Sequence, residues 1–227
     1  MIYDSELLTA EQVSKINHHF DSAPFKEGVV QADNQVSVNK EAKDNYVMAQ
    51  TSPQYRKCID LVQKAFQNLA DFSTTYVLKE MTVPIFTEYR EGGFYKPHID
   101  DLTIGGVKTH HSMTLFFSEP DEYEGGELVL GMGDKEYSLK PPAGTILVYP
   151  TGLMHKINPV ISGKRRVALM WASSAIEDTF MRYQLIDLSK AVINTAKTYP
   201  GTDEESKLAV LPFEQIRVNF LREYGNI

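Results

Sequence analysis

Apolar positions recur at two different periods along the chain. Near the N-terminus Val13, Ile16 and Phe20 fall on one helical face. Thr9-Ala10-Glu11-Gln12 ahead of them reads as a capping box, with Leu8 placed to staple onto Val13. Ser52-Pro53 opens a second helix, with proline at the first helical position. Cys58, Leu61, Val62, Ala65, Phe66 and Leu69 form its apolar stripe. The polar stretch from about Gln31 to Asn45 predicts loop or irregular strand. From about Leu78 to Ser173 the pattern changes to strand-length runs: Val83 to Tyr89, Ser112 to Phe117, Glu127 to Leu130, Glu136 to Leu139, Thr145 to Tyr149 and Arg165 to Ala172. Gly92-Gly93, Gly105-Gly106, Gly125-Gly126 and Pro141-Pro142 punctuate them. Many short strands at this spacing favour a barrel or jelly roll, with the helices bracing a sheet.

After Ser174 the helical period returns. Met181, Leu185, Leu188 and Val192 share one face, and Phe213, Ile216 and Phe220 share another after Pro212. Tyr199-Pro200-Gly201 and Asp203-Glu204-Glu205 read as the connector between these helices. The pattern divides into residues 1–176, with a strand-rich core at about 78–176, and a C-terminal helical extension, 177–227. The extension is too short for an independent domain, so it packs on the barrel or carries a subunit contact, as in a homodimer.

Composition narrows the function. The chain has 23 basic and 30 acidic residues, a net charge of −7, so no nucleic-acid partner is expected. No run approaches the ~20 apolar residues a membrane span needs, and the N-terminus lacks a signal-peptide apolar core. Cys58 is the single cysteine. It excludes an intrachain disulfide and thiol-based metal sites, and it fits a cytoplasmic, reducing setting.

The chemistry lies in an ordered set: His98-Ile99-Asp100, then His155, then Arg165. On a strand, residues i and i+2 point the same way, so His98 and Asp100 can reach one metal together. With His155 they make a two-histidine, one-carboxylate face, the arrangement diagnostic of non-haem Fe(II) oxygenases. Arg165, ten residues after His155 in a strand-like run, can hold the carboxylate of a co-substrate through a fork of hydrogen bonds. Arg165 is followed by Arg166, and strand alternation sends the two to opposite faces. Spacing favours Arg165 inward, together with Val167, Leu169 and Trp171.

Tyr89-Arg90-Glu91-Gly92-Gly93-Phe94-Tyr95-Lys96-Pro97-His98-Ile99-Asp100 resembles the iron-binding motif of prolyl 4-hydroxylase-type enzymes, and His155 to Val160, running on to Gly163 and Arg165, resembles its second half. Asp121 to Leu128, Pro142-Ala143-Gly144 and Tyr149-Pro150 narrow the likeness to the bacterial PKHD-type hydroxylases, a branch of the Fe(II)/2-oxoglutarate dioxygenases. Leu221-Arg222-Glu223 extends it to the tail. The resemblance implies an α+β chain with a double-stranded β-helix (jelly roll) core braced by N-terminal helices. It also implies Fe(II) on His98, Asp100 and His155, 2-oxoglutarate on Arg165 with Tyr89 as a hydroxyl donor, O2 as co-substrate and L-ascorbate as reductant. The reaction it implies converts 2-oxoglutarate to succinate and CO2 while hydroxylating a substrate. That substrate is a protein or a small molecule, with a peptidyl proline suggested by likeness alone.

Tyr95 and His110 are further candidates for the substrate pocket, with Ser112 and Thr114 on one strand face. Trp171 reads as barrel core, and Asp101 to Thr109 as a lid over the mouth. A jelly-roll module that binds metal and 2-oxoglutarate without turnover is the competing reading.

Overall fold

Alternation along the central strands separates two apolar layers. We describe the fold from a computed structural model covering residues 2–32, 35–68, 70–198 and 202–226. Eight strands form its centre: β1 (Ile85–Tyr89), β2 (Phe94–His98), β3 (His111–Phe116), β4 (Leu128–Met132), β5 (Lys135–Leu139), β6 (Thr145–Pro150), β7 (His155–Ile157) and β8 (Arg165–Ser174). They fall into two antiparallel sheets. The larger runs β6-β3-β8-β1, and Tyr3–Glu6, Tyr46–Met48 and Phe25–Glu27 extend its edges, while Leu78–Met81 also pairs with β8. The smaller runs β5-β4-β7-β2 and ends on Lys43–Asp44.

Residues of one parity from both sheets meet in a single cluster that includes Tyr89, Phe116, Leu128, Leu147, Ile157 and Val167. Residues of the other parity on the larger sheet, among them Phe86, Met113, Leu115, Ala168 and Met170, meet the helices. Each face is thus specified by the period of two, and a one-residue slip in register would exchange both layers.

Helix α1 (Ala10–Ser22) starts at the expected capping box: Thr9 Oγ1 accepts from Gln12 N–H, and the Gln12 side chain accepts from Thr9 N–H. Helix α2 (Pro53–Asn68) buries Tyr55, Cys58, Val62 and Ala65; Leu69 of the predicted stripe lies outside the described residues. The short α3 (Ala70–Thr75) follows. Helix α4 (Thr179–Thr198) buries Tyr183, Leu185, Ile186 and Val192 in the same cluster as α1 and α2, so the extension shares their core.

The polar stretch holds the irregular strand that the sequence allowed, as the short pieces Val30–Ala32, Gln35–Ser37 and Lys43–Asp44, because backbone pairing can recruit residues without apolar alternation. The structure departs from the sequence reading in two places. Asp203 to Glu205 form the first turn of α5 (Asp203–Tyr224), capped by Thr202, instead of the connector; Tyr199 to Gly201 lie outside the described residues. Finally, α5 runs through Pro212, which removes one internal hydrogen bond without ending the helix.

Candidate metal and co-substrate site

Strands β2 and β7 pair in the smaller sheet with His155 directly opposite His98. That register brings two imidazoles from distant parts of the chain to a ring-centroid separation of 4.1 Å. Strand β2 ends at His98, so Asp100 is not the next inward residue of a strand, as the His-x-Asp spacing predicts. It lies just past the strand end, and the turning chain still carries its carboxylate back. Asp100 Oδ1 is 3.6 Å from Nε2 of each histidine. One donor atom from each of the three residues lies within 4.8 Å of the others.

The histidines are prepared as ligands by their other nitrogen. His98 Nδ1 is 2.8 Å from Lys96 O, and His155 Nδ1 is 3.0 Å from Leu153 O. A carbonyl can only accept, so Nδ1 carries the proton and Nε2 presents its lone pair to the shared space. Burial, and then the neighbouring His155, push the His98 pKa down to about 4, so the ring is neutral near pH 7. Asp100 is fixed from the other side: Trp171 Nε1–H and Ser112 Oγ–H each donate to Oδ2 at 2.8 Å. With Oδ2 occupied, Oδ1 alone faces the histidines. Neutral imidazoles and one carboxylate suit ferrous iron.

A cavity of about 390 Å3 opens over these residues, between the two sheets. Tyr95 lies in its wall, stacked on His98 with centroids 3.5 Å apart. Tyr89 also lines it, and burial pushes its phenol up to about 12. Ser112 and Thr114 are both in the wall, on the face expected of them. Thr103, Ile104 and Gly105 contribute from the predicted lid, which contains the hairpin Thr103–Ile104 with Val107–Lys108.

Arg165 is fully buried and turned inward, while Arg166 turns outward to ion pairs with Glu88 and Asp21. Arg165 is not part of the cavity wall; its guanidinium carbon lies 5.2 Å from the centre of the Tyr89 ring, which is. Its Nε, Nη1 and Nη2 make no hydrogen bond of full geometry among the described residues, and the group beside them is the buried Tyr123 hydroxyl, which brings no compensating charge. A buried cation with three orphaned donors is costly unless an anion meets it. This is the observation by which the site fits a dicarboxylate.

His110 does not join them. Its Nδ1 accepts from Ser174 N–H at 2.8 Å, and its Nε2 is 3.3 Å from Glu177, away from the cavity wall. The glycine-bounded segment before β3 suggests a free side chain, whereas β8 and the chain leading to α4 hold it in place. His111 is fully buried on the opposite face from Ser112, against Tyr183.

Sequence reasoning missed two residues. Trp171, which reads as barrel core, holds Asp100; its place in phase with Arg165 was the available signal. Lys43 lines the cavity with Nζ 4.5 Å from the centre of the Tyr95 ring. Burial lowers its pKa to about 8. Its polar surroundings in sequence gave no signal.

Comparison with known proteins agrees with this geometry. The family model of the 2OG-Fe(II) oxygenase superfamily matches residues 84–173. A PKHD-type hydroxylase of Picosynechococcus sp. is 36% identical over 183 residues, covering 81% of this chain and 82% of that protein. One from Gluconacetobacter diazotrophicus is 30% identical over 230 residues, covering 99% and 98%. Among solved structures, a Pseudomonas putida prolyl-4-hydroxylase superposes with a TM-score of 0.54 at 16% identity, over 76% of this chain and 92% of that one. A Trichoplax adhaerens prolyl hydroxylase, in complex with a hypoxia inducible factor oxygen degradation domain peptide fragment, gives 0.58 at 15% identity, over 75% and 82%. At those identities the two structures bear on the fold alone.

Proposed function

The chain belongs to the PKHD-type hydroxylases of the 2OG-Fe(II) oxygenase superfamily, and from that premise we propose that it hydroxylates a carbon of its substrate while converting 2-oxoglutarate to succinate and CO2. Membership makes it a dioxygenase that uses Fe(II), 2-oxoglutarate and O2, and the non-catalytic sensor reading is set aside. The orphaned Arg165 guanidinium carries the proposal for this chain: it is a fork-shaped cation one aromatic ring away from a cavity that holds a His-Asp-His donor set.

His98, Asp100 and His155 would hold the iron, and Arg165 the distal carboxylate of 2-oxoglutarate, with Tyr89 beside it. When bound, the ferrous ion supplies the redox chemistry that couples O2 to oxidation of the co-substrate and the substrate. The protein's part is positional. The two Nε2 lone pairs and the free Asp100 oxygen converge from one side, and would leave the other side of the ion for the co-substrates. Tyr95, Tyr149 and Trp171 wall the site with aromatic surface that keeps water away from the reacting atoms.

The two-sheet topology supports a double-stranded β-helix as the core architecture. A peptidyl proline as substrate is supported by the fold shared with prolyl hydroxylases. Ascorbate as the reductant belongs to the same proposal, as does a catalytic unit of residues 1–176 with 177–227 as its extension. Exposed Leu208, Leu211 and Ile216 on α5 support a homodimer contact through that extension. A cytoplasmic location is supported by the lone, buried Cys58; no described helix is long and apolar enough to cross a membrane.

The test is an anaerobic titration with Fe(II) and 2-oxoglutarate, following the visible charge-transfer band of a chelated 2-oxo acid. The band forms in the native protein and weakens in Arg165→Ala. Succinate release in air depends on His98, and undiminished release from His98→Ala would overturn the assignment.

A further inference from the structure

Among the described residues, Lys43 is the one lysine in the cavity wall. It comes from the edge strand Lys43–Asp44, whose register sets it opposite Tyr95 on β2. Its ammonium stands over the Tyr95 ring, and that ring is stacked on His98. The charge is therefore one aromatic ring from a proposed metal ligand, in the wall of the same cavity.

No carboxylate pairs with it directly among the described residues; the charge of Asp100 reaches it from across the cavity. The neighbouring Lys40 is paired with both Glu27 and Asp44, so the nearby carboxylates are taken. Asp100 is committed: Oδ2 accepts from Ser112 and Trp171, and Oδ1 faces the two histidines. Asp101 stands at the same rim but is exposed to water and makes no ion pair with Lys43. The charges of the assembled site leave the lysine over. Ferrous iron, the Asp100 carboxylate, the Arg165 guanidinium and the 2-oxoglutarate dianion sum to zero, so Lys43 and the water-exposed Asp101 are the charges left at the cavity wall, and Lys43 is the more buried of the two. A half-buried ammonium without a partner is unfavourable until an anion arrives.

Resting on the dioxygenase reading, we propose that Lys43 recognises a carboxylate on the primary substrate and so restricts the enzyme to acids. A lone ammonium matches a monoanion and lacks the further donors that a phosphate dianion would need. Val29, Ile99 and Ile104 in the same wall would receive an apolar body. The carboxylate belongs either to a small acid or to the acidic end of a peptide.

The experiment uses the protein loaded anaerobically with Fe(II) and 2-oxoglutarate. Probes are N-acetylated amino acids and short proline-containing peptides, each as the free acid and as the primary amide. Binding is read by calorimetry and by perturbation of the charge-transfer band. The acids should bind about tenfold more tightly than their amides, as expected for a charged hydrogen bond. Lys43→Met should abolish the difference, and Lys43→Arg should keep it. Preference among single amino acids, or only among peptides, identifies the carboxylate's source. Equal binding of acids and amides, no binding of any acid, or a preference that survives in Lys43→Met would overturn the proposal. If the band never forms in the native protein, the dioxygenase premise fails first and the inference falls with it.

Discussion

Trp171 donates its indole N–H to Oδ2 of Asp100 at 2.8 Å, and this bond ties β8 of the larger sheet to the turn after β2 of the smaller one, which carries a proposed metal ligand. Together with Ser112 it occupies one carboxylate oxygen and leaves the other for the proposed metal. Partners of this kind set ligand orientation, and removing one costs roughly 10–100-fold in metal affinity. Trp171→Phe keeps the ring packing and removes the donor. It should weaken Mn(II) binding by about tenfold or more at unchanged fold, as measured by calorimetry. Equal affinity in the variant would show that Ser112 alone fixes the carboxylate.

Arg165 and Arg166 are adjacent, and replacing each should give opposite results. Arg165 is buried without a hydrogen bond of full geometry among the described residues, so Arg165→Met removes an unpaired charge from the core. Without ligand it should melt higher than the native protein, by roughly 2–4 °C for each kcal/mol gained. It should also lose the rise in melting temperature that 2-oxoglutarate gives the native protein. Arg166→Met removes one of two cations on buried Glu88, which keeps its pair with Arg90, and should cost about 1.5 kcal/mol while leaving that ligand-dependent rise intact. Calorimetric scans with and without 2-oxoglutarate check both. A lower melting temperature for Arg165→Met would mean that the guanidinium contributes packing the apo protein needs.

The convergence of His98, Asp100 and His155 was readable because the His-x-Asp spacing at a strand end brings two donors together and a second histidine follows at the start of a later strand. The inward face of β8 was readable because alternation leaves one choice once Arg165 is assigned: Val167 joins the cluster between the sheets, and Leu169 and Trp171 line the cavity. Short strands without apolar alternation were not readable. Tyr3–Glu6 and Lys43–Asp44 form because the larger and smaller sheets offer them free edges. Lys43 therefore reached the site unannounced. His110 failed for a related reason: a glycine-bounded segment predicts freedom, and only the fold supplies Ser174 and Glu177 as partners.

Glycines in turns differ in what surrounds them. Gly144 has φ +87°, and a Cβ there would come within 2.4 Å of the Leu8 carbonyl oxygen. That oxygen belongs to the chain entering α1, whose position the Gly144 carbonyl sets by accepting from both Leu7 and Leu8 N–H. Gly133 has φ +63°, and a Cβ there would meet nothing within 4 Å. Gly133→Ala should cost about 1 kcal/mol from conformation alone, and Gly144→Ala clearly more, because backbone must move. Urea midpoints of the two variants give the comparison, and equal costs would mean the α1 entry yields freely.

His111 makes the fold sensitive to acid on the opposite face of the sheet from the proposed metal ligands. It is fully buried, and burial, followed by the nearby Arg182 charge, lowers its pKa to about 3. In the unfolded chain it takes a proton near the ordinary value of about 6.5. Between those two values the unfolded state binds the extra proton, so the stability present above pH 6.5 is lost progressively as pH falls toward 3. The loss from this one residue between pH 7.5 and 5.5 is about 1 kcal/mol. His111→Phe keeps a planar ring without a titrating nitrogen, and should lose that much less stability over the same interval. His98, His19 and His110 are lowered too, so the variant keeps part of the acid sensitivity. Denaturant titrations at the two pH values measure the difference, and identical losses in the native protein and His111→Phe would assign the acid sensitivity to the other histidines.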